Sequence, residues 1–211
     1  MYRCFFKRFF DLILSLIVLV LSSPILLITA IAVKLESKGP VIFVQKRVGK
    51  NGKVYDMYKF RSMCVGAEQQ EGGVFCTKGD ARVTKVGKFI RATSIDELPQ
   101  LINIIKGEMS IIGPRPVLTY YPKNWEEYTE EELRRFDVLP GITGWAAVHG
   151  RKTNTVEARF AYDNYYVENL SMWLDIKIFF MTIKSVLTNE GNEDDGSAEV
   201  KTAKEEEQIS K

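Results

Sequence analysis

Cysteine and histidine are scarce in this 211-residue chain: Cys4, Cys64 and Cys76 form no CxxC pair, and His149 is the single histidine. So few soft ligands exclude a disulfide scaffold and a structural zinc site, and they favour a reduced, cytosol-facing compartment. No P-loop, GxSxG, HExxH or dinucleotide fingerprint occurs, and no internal repeat. Excess charge of one sign is also missing, with 29 Lys+Arg against 27 Asp+Glu. That balance conceals a division. Residues 191–211 hold three Lys and seven Asp/Glu, leaving residues 1–190 with a net charge of +6. A basic body suits a membrane surface, a nucleic acid or a phosphorylated small molecule. The acidic tail carries no aromatic residue and is expected to be disordered.

What is present in quantity is one apolar run. Phe9 to Val33 contains a single charge, Asp11, and a helix of that length would extend roughly 37 Å. The hydrocarbon core of a bilayer is about 30 Å thick, so the run could span it. It is too long for a signal peptide and no small-residue cleavage site follows, so it is expected to stay in the mature protein. Arg3, Lys7 and Arg8 precede it and Lys34, Lys38, Lys46, Arg47 and Lys50 follow it, whereas a single span shows a basic excess on one side. Both ends therefore read as cytoplasmic. Ser22-Ser23-Pro24 lies near the middle, where proline removes a backbone donor and serine hydroxyls can satisfy the groups thereby freed. A bent, re-entrant helix and an ordinary kinked transmembrane helix both fit this composition.

Downstream, Val41–Arg47 and Val54–Phe60 are β-prone and flank Lys50-Asn51-Gly52-Lys53, which predicts a hairpin. Residues 66–81 read as a loop, followed by a short basic segment. A helical run from about Glu97 to Ile105 stops at Gly107, Lys123–Phe136 with its dense Glu/Arg pairs reads as an exposed helix, and Leu170–Leu187 as the last helix. The last is apolar on more than one stripe, so it packs deeply or lies against a lipid interface.

The chemistry concentrates between Lys59 and Arg151. Ser94-Ile95-Asp96-Glu97 has the form of a capping box, which would place Asp96 and Glu97 in the first turn of a helix, where anions bind. Pro99 sets the helix start at or after Ile95. The simpler alternative is that Glu97 only caps. Lys59, Arg61, Arg82, Lys85, Lys88, Arg91 and Arg115 surround the pair in sequence, which favours a polyphosphate ligand, and paired carboxylates amid cations favour Mg²⁺ shared with substrate phosphates. Gly113-Pro114-Arg115-Pro116 holds Arg115 on a rigid loop, suited to a bidentate phosphate clamp or simply to a structural turn. Pro140-Gly141-Ile142-Thr143-Gly144-Trp145, with His149-Gly150-Arg151, could floor a nucleobase or sugar site. His149 has no identifiable partner and is not expected to act as a base.

These strings carry a resemblance. Tyr58-Lys59-Phe60-Arg61-Ser62-Met63, Asp80-Ala81-Arg82-Val83-Thr84-Lys85-Val86-Gly87, Arg91 through Leu101, Lys106 through Pro116, Pro140 through Trp145, Gly150-Arg151 and Tyr162 through Asn169 together resemble the bacterial sugar transferase family, the small monotopic phosphoglycosyl transferases. The likeness covers residues 1–188, and the length resembles the family's minimal form. Departures fall near Ala147 and His149, where Gln and Asn are common.

The resemblance implies an α+β, predominantly helical fold: a re-entrant membrane helix broken at Ser23-Pro24 in residues 1–39, a small cytosolic domain with interfacial helices and a β-hairpin in 40–190, and the tail in 191–211. It implies transfer of a sugar 1-phosphate from a UDP-sugar to a polyprenyl phosphate, typically undecaprenyl phosphate, with release of UMP at the cytoplasmic face of the bacterial inner membrane. Asp96 is the implied nucleophile and Glu97 the implied Mg²⁺ ligand. Lys59, Arg61, Arg91, Arg115 and Arg151 are the expected substrate-binding residues. Membrane lipid and downstream glycosyltransferases are the expected partners, and nucleic acid is not. Two rival readings remain beside it: a membrane-anchored UDP-sugar hydrolase, and a noncatalytic basic anchor in which Asp96 is dispensable.

Overall fold

The computed structural model describes residues 2–70, 73, 76, 79–149 and 155–188. The tail predicted to be disordered, and Arg151, lie outside the described residues. The fold is mostly helical with a small sheet component, as expected.

After a short turn over Tyr2–Phe6, the apolar run forms one helix, α1 (Lys7–Glu36), which continues through Pro24, so the break expected at Ser23-Pro24 is not formed. Proline at 24 leaves the Val20 carbonyl without its helical donor, and the Ser23 hydroxyl supplies one at 2.7 Å. The buried residues of α1 are Asp11, Ser15, Ser22, Thr29 and Val33. Their spacing of 4, 7, 7 and 4 puts them on a single stripe, which faces the body of the fold along the whole helix. The remainder of its surface presents side chains such as Leu21, Leu27, Ile28 and Leu35, all more than 60% exposed.

The predicted hairpin is present. Strands β1 (Ile42–Val48) and β2 (Val54–Phe60) pair antiparallel, with Asn51 at φ 54° and Gly52 at φ 75° forming the tight turn that Asn-Gly favours. α2 (Lys85–Ala92) occupies the short basic segment for which no structure was predicted; Thr84 caps it by accepting from the Gly87 amide. α3 (Gln100–Lys106) ends where expected, at Gly107 in the left-handed conformation.

β3 (Ser110–Ile112) runs parallel to β5 (Gly141–Thr143), and β4 (Val117–Leu118) adds to the free edge of β1. The β3–β5 crossing requires glycine: a Cβ on Gly113, Gly141 or Gly144 would collide with the backbone of the others or of the residues beside them. This corrects the nucleobase-floor reading of Pro140–Trp145. The segment is a strand, and Trp145 is buried in a core cluster with Ile112, Tyr166 and Ile178.

The long helix expected over Lys123–Phe136 is not formed. Asn124 and Thr129 each start a new turn, in capping boxes with Glu127 and Glu132, so the segment becomes a turn at Trp125–Glu127, the one-turn α4 (Glu130–Leu133) and a turn at Arg134–Asp137. The acidic residues cap instead of pairing along one helix. A one-turn α5 (Trp145–Val148), then α6 (Val156–Glu168) and α7 (Met172–Leu187), complete the chain, with α7 as predicted.

Candidate active site

The carboxylate pair sits on a turn between α2 and α3. Ser94 adopts φ 56°, a left-handed conformation unusual outside glycine, and the chain then makes a tight turn over Ile95–Glu97 before α3 begins. The predicted capping box does not form: the Ser94 side chain caps nothing, and the Glu97 amide donates to the Ser94 backbone carbonyl instead. The left-handed backbone is what turns the hydroxyl out of capping position. Glu97 is therefore not a cap; its Oε1 accepts from Lys59 Nζ at 2.8 Å.

Lys59 arrives from the end of β2. Asn103, fully buried on α3, fixes that strand against α3: its Nδ2 donates to the Asp56 carbonyl and to Glu108, each at 2.7 Å, and its Oδ1 accepts from the Tyr58 amide. Sequence reading missed Asn103, although a lone amide in the apolar run of α3 was the available signal.

Asp96 is 9% exposed, and burial pushes its carboxyl up to about 6. Lys59 and Arg91 oppose that rise and Glu97 adds to it. The site is thus a carboxylate that burial lifts toward neutral pH and two cations pull back. Its neighbour Ile95 packs on Val33, Phe60 and Ile90, with Leu26 and Ala30 of α1 in the same cluster.

The other expected ligands divide. Arg61 is buried and donates to the carbonyls of Val33 (3.3 Å), Ser37 (2.7 Å) and Lys38 (3.0 Å) and to the Ser37 hydroxyl, which caps the C-terminal end of α1. Arg82 is buried against Asp80, which it holds at about 2. Arg115 is exposed on its loop beside Arg47 of β1, whose guanidinium burial and Arg115 together bring down to about 10. Four predicted residues, Asp96, Glu97, Lys59 and Arg91, are therefore brought together. His149 packs on Trp145 and Tyr162, with its Nδ1 at 3.0 Å from the Trp145 carbonyl.

Among the described residues no group of three His, Cys, Asp or Glu is placed to hold a metal. Two adjacent carboxylates do fit a hard cation that takes its remaining ligands from phosphate and water, as Mg²⁺ does. A shallow groove of about 770 Å³ along α6 and α7 is lined by Tyr165, Trp173, Lys177 and Phe180, and by none of the predicted site residues.

Comparison with known proteins bears on this arrangement. Residues 2–189 match the family described as bacterial sugar transferase. The chain is 46% identical over 190 residues to a UDP-N-acetylgalactosamine-undecaprenyl-phosphate N-acetylgalactosaminephosphotransferase of Aeromonas hydrophila, covering 89% of this chain and 45% of that protein. It is 47% identical over 183 residues to a UDP-glucose:undecaprenyl-phosphate glucose-1-phosphate transferase of Klebsiella pneumoniae, covering 84% and 39%. An uncharacterized sugar transferase of Bacillus subtilis is 44% identical over 186 residues, covering 88% and 89%. The chain thus spans less than half the length of the first two relatives and most of the third.

Proposed function

The chain belongs to the bacterial sugar transferase family, and from that premise we propose that it transfers a sugar 1-phosphate from a UDP-sugar to a polyprenyl phosphate, such as undecaprenyl phosphate, releasing UMP. The observation that carries this reading is the buried Asp96 carboxylate, under the charges of Lys59 and Arg91, with its chain neighbour Ile95 packed against the end of the apolar helix. A soluble donor and a lipid acceptor whose phosphate lies at headgroup level both need access to that plane.

In the proposed reaction an Asp96 carboxylate oxygen attacks the sugar-bearing phosphorus. The bond to the bridging oxygen breaks, and UMP leaves with that oxygen and its electron pair. The acceptor's phosphate oxygen then attacks the same phosphorus and returns the carboxylate, so one difficult displacement becomes two. With its carboxyl at about 6, Asp96 is mostly ionised at pH 7 yet poorly solvated, which suits a nucleophile. Lys59 and Arg91 keep it ionised, and Lys59 orients Glu97. Glu97 would help hold Mg²⁺, which when bound would neutralise charge on the donor diphosphate. Arg115 is proposed as a bidentate ligand of that diphosphate.

The membrane arrangement is proposed with it. α1 enters and leaves the cytoplasmic leaflet of the bacterial inner membrane with both ends on the cytoplasmic side, and glycosyltransferases extend the lipid-linked product. Basic flanks at both ends support this, as does the docking of α1 along one body. Near its start, Arg8 donates to the Ile104 and Ile105 carbonyls, and at its end Glu36 accepts from the Lys85 and Val86 amides.

The test is to mix the protein with a panel of UDP-sugars in the absence of lipid. The productive donor should add the mass of one sugar phosphate and release about one equivalent of UMP, and polyprenyl phosphate should discharge the adduct. Asp96→Asn should do neither, and Glu97→Gln should bind Mg²⁺ and donor more weakly. Many turnovers without lipid would instead identify a hydrolase, and full activity in Asp96→Asn would remove the aspartate from the mechanism.

A further inference from the structure

Arg115 is exposed, but the backbone beneath it is held from several directions. The Ile112 carbonyl accepts from Tyr166 Oη at 3.1 Å, and the Pro114 carbonyl from the Gly141 amide at 2.9 Å. The Arg115 carbonyl accepts from Arg135 Nη2 at 2.8 Å, and the Pro116 carbonyl from Arg47 Nη1 at 3.0 Å. Arg135 is the unusual member of this set. It is 2% exposed, and its Nε and Nη2 donate to Asp163 Oδ2 at 3.1 and 2.5 Å. Its guanidinium lies 4.3 Å from the Phe160 ring centroid and 5.3 Å from that of Phe136. The Arg115 carbonyl is thus held by a guanidinium that a buried carboxylate holds in turn.

Stability is a poor explanation for such a pair. A buried arginine and aspartate lose their hydration, and replacing both with apolar side chains of similar volume is commonly neutral or stabilising. Arg135 Nη1 is itself buried with no partner among the described residues. What an apolar pair could not do is present a fixed donor to the Arg115 carbonyl.

We infer that Arg135 and Asp163 are positioning residues for Arg115, fixing the backbone from which its guanidinium reaches the donor. The inference rests on the reading of Arg115 as a diphosphate ligand. The decisive variant is the double replacement Arg135→Met with Asp163→Leu, which removes both buried charges together and avoids the unfolding that Asp163→Asn alone could cause.

Two readouts are needed in the full-length protein. The first is a spin label attached at Arg115→Cys, with Cys4, Cys64 and Cys76 replaced by serine. The second is the KM and kcat of UMP release, using the UDP-sugar most active in the panel above. The apolar pair should unfold near the parental temperature, free the label, and raise donor KM about tenfold with kcat little changed, the size expected from losing one positioning hydrogen bond. In an Arg115→Ala background the same replacement should leave donor KM where it was, because the effect travels through Arg115. A label as restricted as in the parent, or a folded apolar pair with parental KM, overturns the inference. If the label is freed but Arg115→Ala alone keeps the parental KM, the positioning stands and the assignment of Arg115 to the diphosphate fails.

Discussion

Asp96 carries two opposite consequences of one environment. Its carboxyl titrates at about 6 in the fold against 3.8 in a model peptide, because burial outweighs Lys59 and Arg91. In the metal-free, donor-free protein the Asp96 carboxyl should titrate with its midpoint near that value, read from its carbon chemical shift by NMR. Lys59→Met should move the midpoint upward, since Lys59 is the largest influence holding it down. For stability the sign reverses. The folded state binds this proton more tightly than the unfolded chain, so folding stability falls as pH rises from about 4 to 6 and is flat in this respect beyond. Asp96→Asn should therefore melt higher than the parent at pH 7, and the gap should close near pH 4. A midpoint that ignores Lys59→Met would separate the two groups. Asp96 and Glu97 were legible in sequence because adjacent carboxylates amid cations stand out. The left-handed Ser94 was not, because serine gives no sign of φ above zero and the S-x-x-E spacing predicts the opposite backbone.

Arg61 shows how an element can claim a residue that its motif assigns elsewhere. The Ser37 and Lys38 carbonyls lie past the last turn of α1, the Val33 carbonyl has only a long 3.4 Å bond from the Ser37 amide, and a single buried guanidinium reaches all three. Arg61→Lys cannot span the same acceptors, so it should cost about 1–3 kcal/mol, seen as a lower melting temperature, while donor KM stays parental. A raised KM at unchanged melting temperature would return Arg61 to the substrate. The hairpin and α3 were legible because local turn chemistry fixes them: Asn51-Gly52 for one, Gly107 for the other. α2 went unread because eight residues with two lysines and an arginine look solvated until Ile90 and Gly87 are seen to be buried. The β3–β5 pair joins residues some thirty positions apart, and no local pattern announces that partnership.

On the scale of the whole molecule, α1 lies along the body and does not stand away from it. The stripe of Asp11, Ser15, Ser22, Thr29 and Val33 was hidden within a run read only for its apolarity, although three small hydroxyl residues seven apart were its signature. With both ends of α1 attached to one body, cysteines at residues 2 and 50 should label from the cytoplasmic side alone. Pro24→Ala, which returns a backbone donor to the Val20 carbonyl, should let part of the population cross the bilayer and expose residue 2 outside. Labelling of residue 2 from outside in the unaltered protein would defeat the re-entrant topology.

The docking of α1 also has a consequence in time. Asp11 accepts from the Ser110 hydroxyl and the Ile111 amide, and Tyr2 and Lys7 both donate to Asp175, which also accepts from Tyr166. The first turns of the chain are thus completed by residues made about 100 and 170 positions later. At roughly 5–20 residues per second, ribosomal synthesis leaves an interval on the order of ten seconds or more in which α1 exists and its partners do not. Throughout that interval Asp11, Tyr2 and Lys7 lack the partners they have in the fold. The contacts that seat α1 are therefore complete only once the last third of the chain has been made.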